Sequence, residues 1–239
     1  MRILALETST EFLSLACLED TKTVSMLHEK AGMKHSEIIV SRISDVLKQA
    51  KWDLKDVELI ALGIGPGSFT GLRIGASTVK AFALALGTKL AQVPTMDAIG
   101  RRGPLGDGLI VPVLDAHKGK VYSCVYERKA DVLERKTDYL LCGVAELRTY
   151  ITRETVFLGN GLDKYGKDIE KWPMARTENS LDWYPRAEDI GKIALEFLPA
   201  MTVSPDSLEP MYLYPKECNV LKKINQDAGS IPQAVKRDS

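Results

Sequence analysis

Gly65-Pro66-Gly67-Ser68-Phe69-Thr70-Gly71-Leu72-Arg73-Ile74-Gly75 stands between an apolar run, Glu58 to Gly63, and a longer apolar stretch, Leu72 to Leu86. The run has the length and composition of a buried strand, and the stretch that of a helix. The segment between them is then a glycine turn from strand into helix. Such a turn offers free amides and the positive end of a helix dipole, which suits an anion. Gly65 and Gly67 are expected to supply unusual backbone angles, and Ser68 or Thr70 the cap. No Gly-Lys-Ser/Thr follows, and the Rossmann glycine spacing is absent. Two readings therefore stay open: an anion site, or glycines that let the helix pack tightly on the sheet. Arg73, in the first turn, opposes the dipole by roughly 0.3–1 kcal/mol. A partner carboxylate or a bound anion would relieve that, and a solvated Arg73 fits equally.

Outward toward the N-terminus, Arg2 to Thr8, Leu13 to Leu18 and Thr23 to His28 read as three strands, the first two joined by the polar turn Thr8–Glu11. Ile39, Ile43, Val46, Leu47 and Ala50 then fall at helical spacing, with Ser36 as the candidate cap. The stretch Leu72 to Leu86 has no clear polar face, which predicts burial in a core or against a partner. Gly87 stops it and Ala91 to Pro94 closes the half.

Outward toward the C-terminus, Arg101 to Gly108 is a loop by composition, and the order restarts. Leu109 to Leu114, Val121 to Tyr126 and Asp138 to Cys142 read as strands, Val144 to Ile151 as helix and Thr155 to Leu158 as strand. The glycine turn Gly159-Asn160-Gly161 follows, then a helix to about Trp172 and another from Arg186 to Leu198. Strand-strand-strand-helix-strand-glycine turn-helix thus occurs twice. The division expected is 1–104 and 105–224, with 225–239 as a polar tail.

Lysine plus arginine equals aspartate plus glutamate, 32 each in 239 residues. A domain that grips RNA alone carries a basic excess, so zero net charge argues against that role. The four cysteines form no Cys-x-x-Cys pair, which leaves no zinc knuckle or redox motif. No apolar run reaches the roughly 18–20 residues of a membrane span, and the start, Met1 to Glu7, does not read as a signal peptide. A cytoplasmic protein is expected.

The eleven-residue glycine segment closely resembles the signature of the TsaB (YeaZ) family. Leu4-Ala5-Leu6-Glu7-Thr8-Ser9, Asp115-Ala116-His117-Lys118-Gly119-Lys120-Val121-Tyr122, Phe157-Leu158-Gly159-Asn160-Gly161, Tyr184-Pro185-Arg186-Ala187-Glu188 and Glu209-Pro210-Met211-Tyr212-Leu213 resemble it more weakly. The family usually has arginines where His117 and Lys118 stand, and often one at Tyr214. The resemblance spans Met1 to Lys216. It implies an α/β fold of two related actin-like ATPase (ribonuclease H-like) halves, each a mixed sheet flanked by helices. It also implies a non-catalytic scaffold and activator for TsaD, which forms threonylcarbamoyladenosine in tRNAs reading codons that begin with A. The implied associates are TsaD, the small ATPase TsaE, tRNA through the complex, and a second copy of the chain when it is alone.

In kinases of this superfamily a carboxylate ending the first strand helps place magnesium and phosphate. Glu7, with Thr8 and Ser9, occupies that position, and Asp115 is its counterpart in the second half. ATP or ADP is therefore a weak candidate ligand, at Glu7, Thr8, Ser9, Gly65, Gly67, Ser68 and Thr70, with none required by the chain alone. The other reading of Glu7-Thr8-Ser9 is a simple turn cap.

TsaD holds its metal with a His-x-x-x-His helix turn. Thr95 and Ile99 stand at the matching positions, and the only histidines are His28, His35 and His117. No catalytic residue and no metal site is expected. A small-molecule or acyl-phosphate kinase is the alternative, and a metal-dependent peptidase a weaker one. The implied partner surface is the pair of helices from Ser36 to Ala50 and Leu72 to Leu86. It takes Met33, His35, Ser36, Ile38, Ile39 and Arg42 from the first, and Arg73, Ile74, Ser77, Thr78, Ala81 and Phe82 from the second.

Overall fold

Residues Arg2–Glu7 alternate strictly: Leu4 and Leu6 turn to one side, Ile3 and Ala5 to the other, and all four are fully buried. A strand apolar on both faces must lie between two layers. In the computed structural model, which describes residues 1–214 except 33, 131 and 179–182, it is the centre of the first sheet. This strand, β1, pairs antiparallel with β2 (Phe12–Glu19) and parallel with β4 (Leu59–Gly63). The antiparallel edge beyond β2 is β3 (Lys22–Lys30), and β5 (Lys89–Val93) lies beyond β4. Helix α1 (His35–Ala50) joins β3 to β4, and α2 (Phe69–Leu86) joins β4 to β5.

The second sheet repeats the plan. Strand β6 (Gly108–Asp115) is its centre, flanked by β7 (Lys120–Ser123), β10 (Leu140–Gly143), β11 (Thr155–Leu158) and β12 (Ala175–Thr177). With the hairpin inserted between β7 and β10 left out of the count, the spatial order in both sheets is third, second, first, fourth, fifth strand of the half. Both halves leave their fourth strand through a glycine at positive φ, +100° at Gly65 and +114° at Gly159. The two-fold repeat expected from the sequence is therefore present in the topology.

Four features depart from the expectation. A short helix, α3 (Thr95–Arg101), fills the stretch between Pro94 and the expected loop, to which no element had been assigned. The strand expected over Val121 to Tyr126 breaks after Ser123. Its second part becomes β8 (Tyr126–Lys129), which pairs with the start of β6 and with β9 (Val132–Arg135) in an inserted hairpin. Val144–Tyr150 is a 3-10 turn rather than an α-helix, and α4 is Leu162–Ile169.

The fourth departure is one of allegiance. Helix α5 (Ala187–Glu196) packs Ile190, Ile193 and Ala194 onto Ile3, Ala5, Ala16 and Leu18 of the first sheet. After α6 (Leu198–Met201), the strand β13 (Thr202–Val203) adds to β5, and Leu208 enters the core under α1 and α2. Residues 187–208 thus complete the first half, and a second half drawn as 105–224 assigns them to the wrong sheet. The reason is physical: β1 is apolar on both faces, α1 and α2 cover the face of Leu4 and Leu6, and α5 covers the face of Ile3 and Ala5. The tail 225–239 lies outside the described residues. Among those residues no helix is long and apolar enough to cross a membrane.

Strand β8 buries a charge, Glu127, against Arg153, Lys136 and Lys129. Arg153 above all, then Lys136, hold this carboxyl down to about 2 from an ordinary 4.5. A depressed acid stabilises the fold above about pH 4.5, and that contribution is lost as pH falls toward 2. Glu127→Gln should therefore lower the urea midpoint near pH 7 and flatten the acid limb between about pH 4.5 and 2. Midpoints of both proteins across that range check it, and identical acid limbs would contradict it.

Candidate functional site

The glycine turn is held by close approach. A Cβ on Gly67 would stand 2.4 Å from Ser9 O, and one on Gly71 2.1 Å from Thr8 O. Helix α2 therefore starts in contact with the backbone of the β1–β2 turn. Gly65 has the positive φ expected of it, while Gly67 is required for this proximity instead. Ser68 is the cap: its Oγ accepts from Gly71 N at 3.2 Å. Thr70 lies inside the helix.

Glu7 is 1% exposed and sits beneath the turn. Ser9 N donates to its Oε1 at 2.6 Å and Thr95 Oγ1 to its Oε2 at 2.8 Å, while Gly65 N donates to Thr95 Oγ1 at 3.1 Å. Burial pushes the Glu7 carboxyl upward, and the Ser9 and Thr95 donors oppose the shift. Gly63 leaves the space that this carboxylate fills. Thr8 Oγ1 and Ser9 Oγ are buried without a hydrogen-bond partner among the described residues. The arrangement is a strut joining β1, the glycine turn and α3. Thr95→Val removes both hydrogen bonds at constant shape, leaving a carboxylate oxygen and an amide unpaired. A loss of about 3 kcal/mol is expected, or a Tm lower by roughly 6–12 °C for a chain of this size. Thr95→Ser should retain most of it, and a Tm for Thr95→Val within about 2 °C of wild type would contradict the strut.

Between the halves lies an open cleft of about 680 Å³. Ser9, Thr10, Glu11, Gly67, Ser68 and Thr70 line one wall, and Asp115, His117, Lys118 and Asn160 the other. The amides nearest to it are largely engaged. Ser9 N bonds Glu7, Phe12 N bonds Thr10 Oγ1 at 3.2 Å, and Ser68 N bonds Ser9 O at 2.7 Å. Asp115 N donates to Asn160 Oδ1 and His117 N to Asp115 Oδ1, each at 3.1 Å. Glu11 is paired with Lys30 at 2.9 Å and accepts from Tyr184 OH. Thr10 and Glu11 were read only as part of the β1–β2 turn and Asn160 only within its glycine turn, because the cleft forms only when the halves meet.

On the opposite layer α1 and α2 lie side by side over the first sheet. Helix α2 turns Gly71, Leu72, Gly75, Ala76, Val79 and Ala83 inward, and Arg73, Ser77, Ala81, Leu84 and Ala85 outward. Leu84 is 69% and Phe69 52% exposed, and Val40 on α1 is 60% exposed. Arg73 lies over the Phe69 ring, 3.8 Å from its centroid, and its Nε donates to Tyr212 OH at 3.2 Å. An aromatic face and a phenol thus meet this cation.

Not all twelve surface candidates lie on that face. His35 is buried, its ring nitrogens 3.0 and 3.3 Å from the carbonyl oxygens of Gly32 and Phe12, and Ile39 is 2% exposed in the core. Both are corrections: they hold α1 to the sheet. Ser36 is exposed, but the helix begins one residue before it, at His35, with no side-chain cap. Ile38, Ile74 and Phe82 are half-buried against the core. Arg42 is paired with Glu29 at 2.7 Å and Asp45 at 3.2 Å, and Thr78 Oγ1 bonds Ile74 O. Ser77, Ala81 and Arg73 are exposed. Met33 lies outside the described residues. Val40, Leu84 and Phe69 were missed. Residue size is the signal that finds them: the glycines and alanines at 71, 75, 76 and 83 mark the face pressed to the sheet.

Thr95 and Ile99, where the resemblance would place metal ligands, are fully buried, Thr95 in the strut and Ile99 in the core.

A family model described as TsaD, tRNA N6-adenosine threonylcarbamoyltransferase, matches residues 22–170. The tRNA threonylcarbamoyladenosine biosynthesis protein TsaB of Escherichia coli (strain K12) is 30% identical over 226 residues, covering 89% of this chain and 94% of that protein. Its namesake in Bacillus subtilis (strain 168) is 29% identical over 173 residues, 71% of this chain and 76% of that protein. Among solved structures, YeaZ from Pseudomonas aeruginosa superimposes with a TM-score of 0.75 at 25% identity, covering 89% of this chain and 99% of that one.

Proposed function

The chain belongs to the TsaB family of tRNA threonylcarbamoyladenosine biosynthesis proteins, and we propose that it is the non-catalytic scaffold and activator of a TsaD-type transferase. The observation that carries this reading is the outward face of α2. A helix that presents Ala81, Leu84 and Phe69 to solvent beside an exposed Val40 leaves apolar surface for another protein to cover. Two such helices can meet two from a partner, and a second copy of the chain can use the same face when the partner is absent. The partner brings the tRNA, which agrees with a net charge of zero here. A TsaE-type ATPase then acts on the assembled pair, in the cytoplasm.

The chain requires no nucleotide of its own. Glu7 is committed to the strut, and the amides of Ser9, Gly65 and Ser68 to protein acceptors, which takes from the cleft part of what the kinases of this fold offer a triphosphate. The relatives do not favour the kinase or peptidase alternatives. The test is to mix the purified chain with the TsaD protein of the same genome and follow both by size-exclusion chromatography with light scattering. A complex containing both chains at low micromolar concentration is expected. Separate elution at tens of micromolar would overturn the reading.

A further inference from the structure

A second cavity, of about 760 Å³, opens between α3, the β8–β9 hairpin and the α5–α6 corner. None of its lining residues belongs to α1, α2 or the cleft. Its volume falls within the roughly 300–1,000 Å³ of small-molecule sites. The hairpin that walls it has no counterpart in the first half, so the cavity is an addition to the repeated plan.

Its floor is polar and fixed. Asp97 Oδ1 accepts from Tyr126 OH at 2.5 Å and from Tyr139 OH at 2.9 Å. Burial raises Asp97 and both phenols, which keeps the tyrosines protonated as donors. Three guanidiniums line the walls against two carboxylates, Asp97 and Glu196. Arg101 is neutralised by Glu196, and Arg128 donates to the carbonyl of Arg101 at 3.0 Å. Arg135 lies over the Tyr139 ring, 4.6 Å from its centroid. Tyr139 thus engages the face and part of the edge of this guanidinium, and the remaining N–H groups of its five-donor fork can donate. The mouth is apolar: Leu105 is 79%, Val132 68% and Phe197 46% exposed.

We infer that this cavity binds a small amphipathic anion, its carboxylate, sulfonate or phosphate on Arg135 and its apolar body against Val132, Leu105 and Phe197. The charge count favours an anion, and the planar fork of Arg135 matches such a group bidentately. The exposed rim supplies the apolar contact that a freely hydrated ion would not need.

The test is a fluorescence titration of the intact chain with anilinonaphthalene sulfonate, an aromatic anion. Saturable binding at one site is expected. Arg135→Gln should weaken it about tenfold or more, since one bidentate charged pair is lost. Val132→Glu should weaken it similarly. Lys167→Gln, which removes an exposed cation on α4 outside both cavities, should leave it unchanged. Each variant must first show a native circular dichroism spectrum, which exposed Arg135 and Val132 favour. Unsaturable binding, a loss below about threefold in Arg135→Gln, or an equal loss in Lys167→Gln overturns the proposal.

Discussion

Ala81→Asp abolishes co-elution with the TsaD-type partner at low micromolar concentration while leaving the isolated chain folded. Ala81 is on the outward face of α2, so the new carboxylate meets water in the free protein. An aspartate inside a helix costs well under about 1 kcal/mol in propensity. In the complex the same carboxylate would lie in a dry contact without a partner, at a cost of several kcal/mol. About 4 kcal/mol weakens binding nearly a thousandfold, more than an interface of the usual ~1,600 Å² can absorb. Leu84→Asp should behave alike. The readout is paired: circular dichroism and thermal unfolding of the free chain, then chromatography of the mixture. A folded Ala81→Asp chain that still co-elutes would remove Ala81 from the interface and move it toward α1.

Gly71→Ala unfolds the chain more readily although alanine is the better helix former. Helix propensity favours alanine by about 1 kcal/mol. The new methyl would stand 2.1 Å from Thr8 O, a backbone atom in a turn fixed by Glu7 and Ser68. Relieving that overlap means moving α2 off the sheet, an overpacking cost of about 3 kcal/mol or more. Sterics therefore outweigh propensity, and a Tm lower by roughly 6–12 °C is expected. Gly166→Ala is the matched control. It too lies in a helix, but its Cβ would meet nothing closer than Leu162 Cβ at 3.6 Å. That variant should gain up to about 1 kcal/mol. Equal Tm changes in the two variants would contradict the close-approach account of the glycine turn.

Both halves of the fold were legible because each announces itself locally. A central strand is apolar without alternation, and a glycine stands where the fourth strand gives way to a helix. The destination of α5 was not legible. Its face of Ile190, Ile193 and Ala194 marks an amphipathic helix, but amphipathicity does not name the sheet it covers, and the partner strands lie far away in sequence. The β8–β9 hairpin was lost for a related reason. The strand was ended at Tyr126, before the charged Glu127 and Arg128, whereas both are buried, one among three cations and the other against backbone carbonyls.

At the site, residue types were easier to read than roles. Glu7 carried two readings, an anion-site carboxylate and a turn cap, and its bond from Ser9 N fits the second. Whether a carboxylate after a strand faces a cleft or a strut depends on Thr95, and nothing in the sequence ties those two together. His35 and Ile39 were placed on the partner surface by the resemblance, although Ile39 also stands in the apolar stripe with Ile43, Val46 and Leu47. The helix runs from His35, and its inward face includes both residues. The outward face of α2 was hidden by its own composition, since alanines and leucines point both ways. Only the contrast between small inward residues and larger outward ones separates the faces.

The most direct test of the scaffold reading is reconstitution of tRNA modification from purified components. The transferase, its ATPase associate, the enzyme that makes the threonylcarbamoyl donor, and unmodified tRNA are combined with and without this chain. Threonylcarbamoyladenosine is then measured by mass spectrometry of digested tRNA. The account predicts modification that depends on this chain, is lost with Ala81→Asp and survives Glu11→Gln and Asp115→Asn, which alter only the cleft. Full modification without the chain, or its loss on changing the cleft carboxylates while the complex still forms, would contradict it.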